Sequence, residues 1–500
     1  MAKFNSRSTG TKTVNHEGGQ AFKPTHEMEL AMAALTTFVE NKFYEKKDDT
    51  LKRIVALCEK VSPEFLGKLA IYARRECNMR SISHVLLGEL ARLHKGQRAY
   101  IEAGIVRVDD MSEIIAYYGN QYGKPIPNSI KKAISKRLKD FNAYQLGKYK
   151  GGGKDVKLVD LFNICHPKPR DEAQSQMWKD LLTGKLESPD TWEVLISTAK
   201  DKDEAKTRWE GLVAEDKIGY MALLRNLRNL DKYGVNQATL EKAANKIKDP
   251  IEVAKSKQLP FRYLSAYKNA PNTIFKDAVS YALDAAVTNI PSFDGKTAVF
   301  CDVSGSMNNV VSAKSTMTCA EIGILFGMSL WKSNPTNNEF YTFDNALYGF
   351  NLSSRTPLID LINSIHVNGG GTSTHVTFAY LRQQKKVVDQ VFILSDNEGY
   401  GGDVNAEFEA YRREVNPNVK LFAIDLQGYG HLQFPQKNVY HIAGWSEKIF
   451  DVIKLLLQDK DALLNTIKSY EISKERYIHT STDDTNAESE ASKNGDGYCA

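Results

Sequence analysis

The fold of the second half of this chain is decided by residues 297–307, TAVFCDVSGSM. The stretch begins with four apolar residues, Ala298–Cys301, which predict a short buried strand. An oxygen-rich turn follows at Asp302–Ser306, and an apolar helical run extends from about Ala313 to Leu330. The order strand, turn, helix is typical of the opening of a parallel α/β unit.

The same alternation of strands and helices continues from this stretch towards the C-terminus. Strands are predicted at 297–301, 339–343, 390–395 and 420–425, and helices near 313–331, 357–365, 375–384, 404–414 and 446–457. This pattern predicts a doubly wound α/β sheet. Before it, from Met28 to about Thr288, apolar residues recur at spacings of three and four in pieces joined by short links, which predicts an α-solenoid of stacked helices.

The chain therefore divides into four predicted parts. Residues 1–20 form an extended polar arm, 21–289 a helical-repeat domain, 290–475 the α/β domain, and 476–500 a tail with almost no apolar residues that is expected to be disordered. A chain of 500 residues with 42% apolar content is too long for one core, in agreement with this division.

Composition also limits the setting in which the protein works. The N-terminus carries no apolar run behind its basic residues, and no stretch approaches the roughly 18 apolar residues of a membrane span. The six cysteines are scattered without a C-x-x-C pair, which is typical of reduced thiols. We expect a cytoplasmic protein with no membrane partner.

The turn after the first strand of the α/β domain is a candidate metal site. Asp302, Ser304 and Ser306 place one carboxylate and two hydroxyls just past the carboxyl end of a strand, where ligands bind in open α/β sheets. Hard oxygen donors suit Mg²⁺, Mn²⁺ or Ca²⁺, of which Mg²⁺ is the cation we expect. A Gly-rich loop, 369–374, and a second strand that ends in an aspartate, 391–396, could complete the site. The alternative is an Asx turn that only caps the following helix.

Two enzymatic functions are alternatives for this turn. A phosphatase of the haloacid dehalogenase type would use Asp302 as nucleophile, but it needs a second aspartate two residues later, where this chain has Ser304. A metal-dependent phosphoryl-transfer enzyme is the other, and the sequence contains neither a G-x-x-x-x-G-K-[ST] nor an H-E-x-x-H motif. We therefore expect a protein that is not an enzyme.

Positive charge is concentrated in residues 124–157 of the helical region. The segment holds ten lysines and arginines against two acidic residues, whereas the whole chain has a formal net charge of +5. Lys132, Lys136 and Lys139 fall on one face of a predicted helix, and a Gly-rich loop at 147–154 adds lysines and Tyr149. Such a loop suits phosphate contact and base stacking on single-stranded or irregular RNA. The alternative is a solvated helix face.

The metal-site motifs resemble the metal-ion-dependent adhesion site (MIDAS) of a von Willebrand factor type A domain. The resemblance assigns the metal ligands to Asp302, Ser304, Ser306, Thr372 and Asp396. Domains of that type are not normally catalytic, and they leave one coordination position for a carboxylate of a partner protein.

Over about residues 13–470 the chain resembles the TROVE family, the Ro autoantigen and its bacterial and phage-borne relatives. The matching motifs are Thr13–Asn15 with Gly18–Gln20, Ser129–Lys150, Lys157–Asp160 with His166–Pro169, Ala222–Leu227, Leu259–Tyr267 and the metal site. The resemblance implies a monomeric ring of HEAT-like repeats closed by the von Willebrand factor A-like (Rossmann-like) domain.

The same resemblance implies a function in RNA quality control. The ring's outer surface would bind a small non-coding Y or Y-like RNA, its hole would accept single-stranded 3′ ends of misfolded RNA, and an exoribonuclease is a further expected partner. The corresponding RNA-binding residues are Lys131, Lys132, Lys136, Arg137, Lys139, Lys148, Lys150, Lys157 and His166. The alternative function is a metal-dependent protein-adhesion module for which the helical domain is only a platform.

Overall fold

The computed structural model describes most of the chain between residues 11 and 472. The described residues are 11–14, 20–23, 25–36, 49–149, 155–187, 191–291, 293–310, 317–367, 369–396, 399, 402–426, 439–443, 449–458 and 462–472. They form two compact units. The mixed unit comprises residues 1–38 and 247–463, and the helical unit comprises residues 39–246 and 464–500.

The first half of the chain is helical after a short hairpin. Strands β1 (Thr11–Val14) and β2 (Gln20–Lys23) pair antiparallel. The helices that follow are α1 (His26–Thr36), α2 (Asp49–Cys58), α3 (Pro63–Arg75), α4 (Arg80–Leu93), α5 (Arg98–Gly104), α6 (Val108–Tyr122), α7 (Asn128–Arg137), α8 (Ala143–Lys148), α9 (Leu158–Cys165), α10 (Glu172–Leu182), α11 (Trp192–Ser197), α12 (Lys202–Ala214), α13 (Tyr220–Arg225), α14 (Leu227–Tyr233), α15 (Gln237–Lys248), α16 (Pro250–Ser256), α17 (Pro260–Lys268) and α18 (Thr273–Ala286).

A buried polar cluster joins α3, α4 and α6 of the helical unit. The Asp110 carboxylate, which is fully buried, accepts hydrogen bonds from Arg74 Nη2 at 2.9 Å and from the Arg107 N–H at 2.8 Å, and it lies 2.9 Å from His84 Nε2. Burial alone would raise the pKa of Asp110, but Arg74, His84 and Arg80 hold it well below the usual value. The cluster fixes how the three helices meet, because a buried charge must keep its partners.

The second half of the chain builds a six-stranded sheet. Its strands are β3 (Thr297–Asp302), β4 (Asn338–Phe343), β5 (Leu347–Gly349), β6 (Gln390–Ser395), β7 (Lys420–Asp425) and β8 (Val439–Ala443), in the spatial order β5-β4-β3-β6-β7-β8. All neighbouring pairs are parallel except β4 and β5, which form an antiparallel hairpin at one edge. The strands β3 and β6 are buried along their whole length, which explains their continuous apolar sequence.

Helices cover both faces of this sheet. In chain order, the helices from residue 319 on are α19 (Cys319–Ser333), α20 (Leu358–Asn363), α21 (His375–Gln383), α22 (Val404–Glu414), α23 (Ile449–Gln458) and α24 (Ala462–Lys468), and most of α24 belongs to the helical unit. Ala298 and Phe300 of β3 pack with α21 and α22 in one core, whereas Val299 and Cys301 face α19. Gly327 lets α19 approach the sheet closely, since a Cβ there would lie 2.4 Å from the Phe340 ring of β4 and 3.2 Å from Val299 of β3.

The predicted fold class, helical repeats followed by an α/β sheet, is confirmed. The predicted strands and the helices at 375–384 and 404–414 agree with the structure to within a residue. Two short strands at the sheet edges, β5 and β8, were not predicted, and the β1–β2 hairpin lies where an extended arm was expected. The helix predicted from about 313 begins at Cys319, capped by Thr318, whose Oγ1 accepts a hydrogen bond from the Glu321 N–H.

The predicted domain limits stay predictions. The architecture changes near residue 290 as expected, but α16, α17 and α18 belong to the same compact unit as the sheet. Two ion pairs within that unit, Lys268–Glu321 and Lys332–Asp284, both 2.5 Å, show how α17 and α18 attach to α19. The predicted tail, 476–500, lies outside the described residues.

Within the described ranges, no helix is both long and apolar enough to span a bilayer. The longest helices, α6 and α19, each have 15 residues.

Candidate metal centre and nucleic-acid surface

Asp302 is the last residue of β3, a central strand of the sheet. β3 has β4 on one side and β6 on the other, so the chain leaves β3 towards one edge and later returns to build the opposite half. Loops diverge at such a switch point and leave a crevice at the carboxyl ends of the two strands, where α/β proteins bind ligands. Asp302 at the end of β3 and Asp396 just beyond β6 both lie at this position.

The Asp302 carboxylate is held by hydrogen bonds from both neighbouring segments. Its Oδ1 accepts the Ser304 N–H at 2.8 Å, and its Oδ2 accepts the Ser395 hydroxyl at 2.6 Å. The Ser304 and Ser306 hydroxyl oxygens lie 3.3 Å apart. One carboxylate and two hydroxyls therefore stand together at the turn, with Asp302 and Ser304 almost completely buried.

The Gly-rich loop is tied to the same turn through its backbone. The Gly305 N–H donates to the Gly370 carbonyl at 3.0 Å, and the Gly369 N–H donates to the Val303 carbonyl at 3.2 Å. Gly369 has φ +75°, a conformation that glycine adopts without strain. The buried Thr372 follows on the same loop, two residues after Gly370.

The second aspartate is close enough to Asp302 to act on its ionisation. Burial raises the pKa of Asp302 to about 7, and the negative charge of Asp396 adds to the rise, against the hydrogen bonds from Ser304 and Ser395. No lysine or arginine forms an ion pair with Asp302 in the described part of the chain. A buried carboxylate in this position is short of positive charge, which a bound cation would supply.

The donors present fit a hard divalent cation. The described residues contain no cluster of three or more His, Cys, Asp or Glu side chains, so a site for a thiophilic or all-carboxylate-bound metal is not found there. Carboxylate and hydroxyl oxygens from Asp302, Ser304, Ser306, Thr372 and Asp396 are the ligand types that Mg²⁺ and Mn²⁺ accept.

Three polar residues at this site were not assigned from the sequence. Ser395, at the end of β6, donates a hydrogen bond to the Asp302 carboxylate. The buried Asp425, at the end of β7, lies opposite Ser395 in the register of the two strands. The buried Asp344 carbonyl accepts the Ser373 N–H at 2.9 Å and so supports the Gly-rich loop. Asp344 and Asp425 end or follow a strand, as Asp302 does, and that shared position was the signal available in the sequence.

The predicted RNA-binding residues lie mainly on α7 and at the two ends of α9, and these two helices of the helical unit pack against each other. Lys131 lies close enough to Cys165, at the end of α9, to act on its thiol. Lys132 and Lys157 are exposed, and so is His166, the left-handed residue (φ +46°) that ends α9. Within the described residues, Lys131, Lys132, Lys139 and Lys157 form no ion pair.

Other members of the predicted set have partners inside the protein. Lys136 Nζ lies 2.8 Å from Glu102 Oε2 on α5. The prediction that Arg137 contacts RNA is corrected by the structure, because its side chain is only 3% exposed. Its Nη2 donates to the Ile105 carbonyl at 3.0 Å, and its Nη1 pairs with Asp140. The guanidinium therefore fixes α7 instead of facing solvent.

The Gly-rich loop of the basic segment is described only at its start. Lys148 ends α8 and is half-buried, and Lys150 lies outside the described residues. Tyr149, which the sequence offered for base stacking, has its ring 5.1 Å from the Arg107 guanidinium, and burial raises the pKa of its hydroxyl. The ring is therefore used in packing.

Comparison with protein families identifies both halves of the chain. The family model described as the TROVE domain matches residues 25–184 and 171–294, and the model described as the Ro60 vWA domain matches residues 296–456. The two matches meet where the architecture changes from helical to α/β.

The chain is also similar to individual proteins. The telomerase protein component 1 of Rattus norvegicus and that of Mus musculus are each 24% identical over 48% of this chain, which spans 12% of their length. The crystal structure of the Deinococcus radiodurans RO (RSR) protein matches with a TM-score of 0.62 and 16% identity, over 89% of this chain and 99% of that one.

Proposed function

The chain belongs to the TROVE (Ro) family of RNA-binding ribonucleoprotein components, and from this premise we propose that it is the RNA-binding scaffold of a ribonucleoprotein. It binds a small non-coding RNA, Y or Y-like, on the surface formed by α7 and α9. It also takes up single-stranded 3′ ends of misfolded RNA, for quality control or processing. The proposal includes a cytoplasmic location, a monomeric ring, cooperation with an exoribonuclease, and no catalytic activity of its own.

One observation carries the proposal. Lys131, Lys132 and Lys157, with His166, lie on neighbouring helices and have no acidic partner in the described residues, although the chain as a whole is almost neutral. Cations left unpaired on one surface suit a polyanion, because each phosphate contact releases counterions from the nucleic acid. Irregular RNA suits it better than duplex, since proteins can contact the backbone and the bases of unpaired segments individually.

The metal site has a separate role in this proposal. A divalent cation, Mg²⁺ in the first instance, is held by Asp302, Ser304, Ser306, Thr372 and Asp396, and it stabilises the mixed unit or binds a carboxylate of a partner protein. RNA binding takes place on the helical unit and does not need the cation.

The first test is purification of the protein from its native host in low salt, followed by sequencing of the RNA it retains. A discrete small structured RNA, enriched over a nuclease-treated control and released by salt, is the expected result. The absence of any enriched RNA would refute the scaffold function.

The second test places the RNA on the surface. Affinity for the recovered RNA is measured by fluorescence anisotropy over a range of salt for Lys131→Ala with Lys132→Ala, and for the matched control Lys60→Ala with Lys95→Ala, two exposed lysines of the same unit. If both lysines of the first pair contact phosphates, the negative slope of log K against log salt becomes shallower by roughly 1.4 to 1.8 in their absence. An unchanged slope would show that the RNA binds elsewhere.

A single-residue comparison within α7 sharpens the placement. Lys132→Met is expected to weaken RNA binding, whereas Lys136→Met is expected to weaken it less, because Lys136 is already paired with Glu102. Equal losses would mean that the ion pair with Glu102 opens when RNA binds.

The second candidate function is a metal-dependent adhesion module, and the arrangement of Asp302, Ser304 and Ser306 favours it. In that case a protein partner is retained during purification and is released by chelator. A partner released by chelator from a preparation that contains no RNA would favour this function over the first.

A further inference from the structure

A groove at the edge of the sheet is not used by either proposed function. It lies between the edge strand β5 and helix α21 and has a volume of about 390 Å³. Its lining consists of Tyr341, Leu347, Gly349, Val376, Ala379, Tyr380 and Gln383. Leu347, Val376 and Tyr380 pack against the buried core below, so the floor of the groove is a fixed surface.

The strand β5 presents backbone groups to the open side of this groove. In an antiparallel pair, residues that bond to the neighbouring strand alternate with residues whose N–H and C=O groups point away. The Asp344 N–H donates to the Ala346 carbonyl at 3.0 Å, which makes Thr342 and Tyr348 the next bonded pair. Leu347 and Gly349 therefore direct their N–H and C=O groups outwards.

No backbone group of the described residues forms a hydrogen bond with the outward N–H and C=O groups of Leu347 and Gly349. β5 is the last strand of the sheet, and no backbone hydrogen bond joins Leu347 or Gly349 to a residue outside the β4–β5 hairpin. Gly349 is exposed, and so are Tyr348 and Phe350 beside it. An exposed strand edge is a template for one more strand.

The chemistry of the groove indicates which side chain it accepts. Lys386 Nζ lies 5.7 Å from the Tyr341 ring centre and 5.6 Å from that of Tyr380. Its charge is already neutralised by Glu339, with Nζ to Oε2 at 2.7 Å. The Tyr341 hydroxyl donates to the same carboxylate at 2.6 Å. With these polar groups paired among themselves, the groove offers the apolar side chains Leu347, Val376 and Ala379 beside the two tyrosine rings, and Gln383 is a polar member of its lining.

We propose that this groove binds an extended segment of a partner protein, which adds to β5 as a seventh strand and places one large apolar side chain between β5 and α21. Main-chain bonds to Leu347 and Gly349 supply the alignment, and the side chain in the groove supplies the selectivity, as in other cases of strand addition. The site lies in the mixed unit and is independent of RNA binding.

The probe for the test is a random peptide library displayed on phage, selected against the immobilised full-length protein. The selected peptide is then synthesised, and its affinity is measured by fluorescence anisotropy. A peptide with one large apolar residue in an otherwise extended sequence is the expected product. Failure to select any peptide that binds the protein in solution would overturn the proposal.

Two variants and one control locate the binding. Ala379→Leu fills the groove from α21, and Gly349→Pro removes an outward N–H without removing a bond to β4. Each is expected to reduce the affinity at least tenfold, whereas Gln384→Leu, exposed at the end of the same helix, leaves it unchanged. Circular dichroism and the melting temperature establish that each variant is folded. Affinity unchanged in both folded variants would place the peptide elsewhere and refute the site.

A scan of the peptide backbone distinguishes strand addition from binding of a side chain alone. N-methylation is applied to one peptide amide at a time. Loss of affinity at every second amide is expected, since only alternate N–H groups of an added strand face β5. A flat profile, as for a groove that accepts a small molecule or an isolated side chain, would overturn the proposal.

Discussion

The substitution Asp302→Asn separates the two effects of a buried carboxylate, its cost to the metal-free protein and its value as a metal ligand. Asparagine has the same shape, and its side-chain oxygen can still accept the Ser304 N–H that Asp302 Oδ1 accepts at 2.8 Å. The amide can face the Ser395 hydroxyl, which turns from donor to acceptor. The substitution therefore removes the charge and leaves the packing intact.

The magnitude follows from the pKa of Asp302, about 7 in the folded protein against an ordinary value of 3.8. The folded protein binds this proton more tightly than the unfolded chain, so the stabilisation is complete below pH 3.8 and is lost as the pH rises through 7. A difference of about three pKa units corresponds to as much as ~4 kcal/mol in the free energy of unfolding. Asparagine is neutral throughout, so at pH 8 in chelator the variant is expected to be more stable than the wild type.

The assay is urea denaturation at pH 5 and pH 8, in chelator and in excess Mg²⁺. Without metal, the wild type loses stability between pH 5 and pH 8, and Asp302→Asn shows a smaller loss. With Mg²⁺ at a hundred times its dissociation constant, the wild type gains about 2.7 kcal/mol, and the variant gains far less. A variant that is less stable than the wild type in chelator at pH 8, or equally stabilised by Mg²⁺, would refute the reasoning.

Two further substitutions test how the site and the helical unit are held together. Gly370→Ala places a Cβ 2.7 Å from Asp344 Oδ2 and is expected to shift the Gly-rich loop. Calorimetry should then show weaker Mg²⁺ binding. The control Gly211→Ala has open space around it in α12, so it should leave Mg²⁺ binding unchanged and raise the free energy of unfolding by roughly 0.5–1 kcal/mol. Asp110→Ala leaves the Arg74 guanidinium buried without its carboxylate and is expected to cost about 3–5 kcal/mol at pH 7, measured by urea denaturation. Because the pKa of Asp110 is held low, this cost should shrink as the pH falls below about 4, and a cost independent of pH would contradict its ionic origin.

The parts of the fold that the sequence predicts are those with a strong apolar pattern, either a continuous run or a helical spacing. The strands β3 and β6 are buried on both faces, so their runs of apolar residues stand out in the sequence, and α21 and α22 carry clear helical spacing. β5 has only three residues, two of them exposed, and its strand character comes from pairing with β4. Three residues are too few to show a strand period, even though β4 is adjacent in sequence, and β8, with five residues, is nearly as short.

The candidate site divides in a similar way. Asp302, Ser304 and Ser306 belong to one local motif, so their association could be predicted. Ser395 holds Asp302 across 93 residues of sequence, and only the parallel register of β3 and β6 brings them together. On the helical unit, the sequence shows how much charge is present but does not show that Arg137 turns inwards to the Ile105 carbonyl.

The pairing of Lys136 with Glu102 has a consequence for how quickly RNA reaches this surface. Seen from several ångströms away, a lysine joined to a carboxylate is a dipole whose field decays faster with distance than that of a single charge. At about 0.1 M salt the Debye length is roughly 10 Å, so only the monopoles of unpaired lysines extend a useful attraction into solution. The encounter rate with RNA is therefore set by residues such as Lys131 and Lys132, whose removal should slow association, whereas Lys136 could act only after contact, through the residence time of the complex.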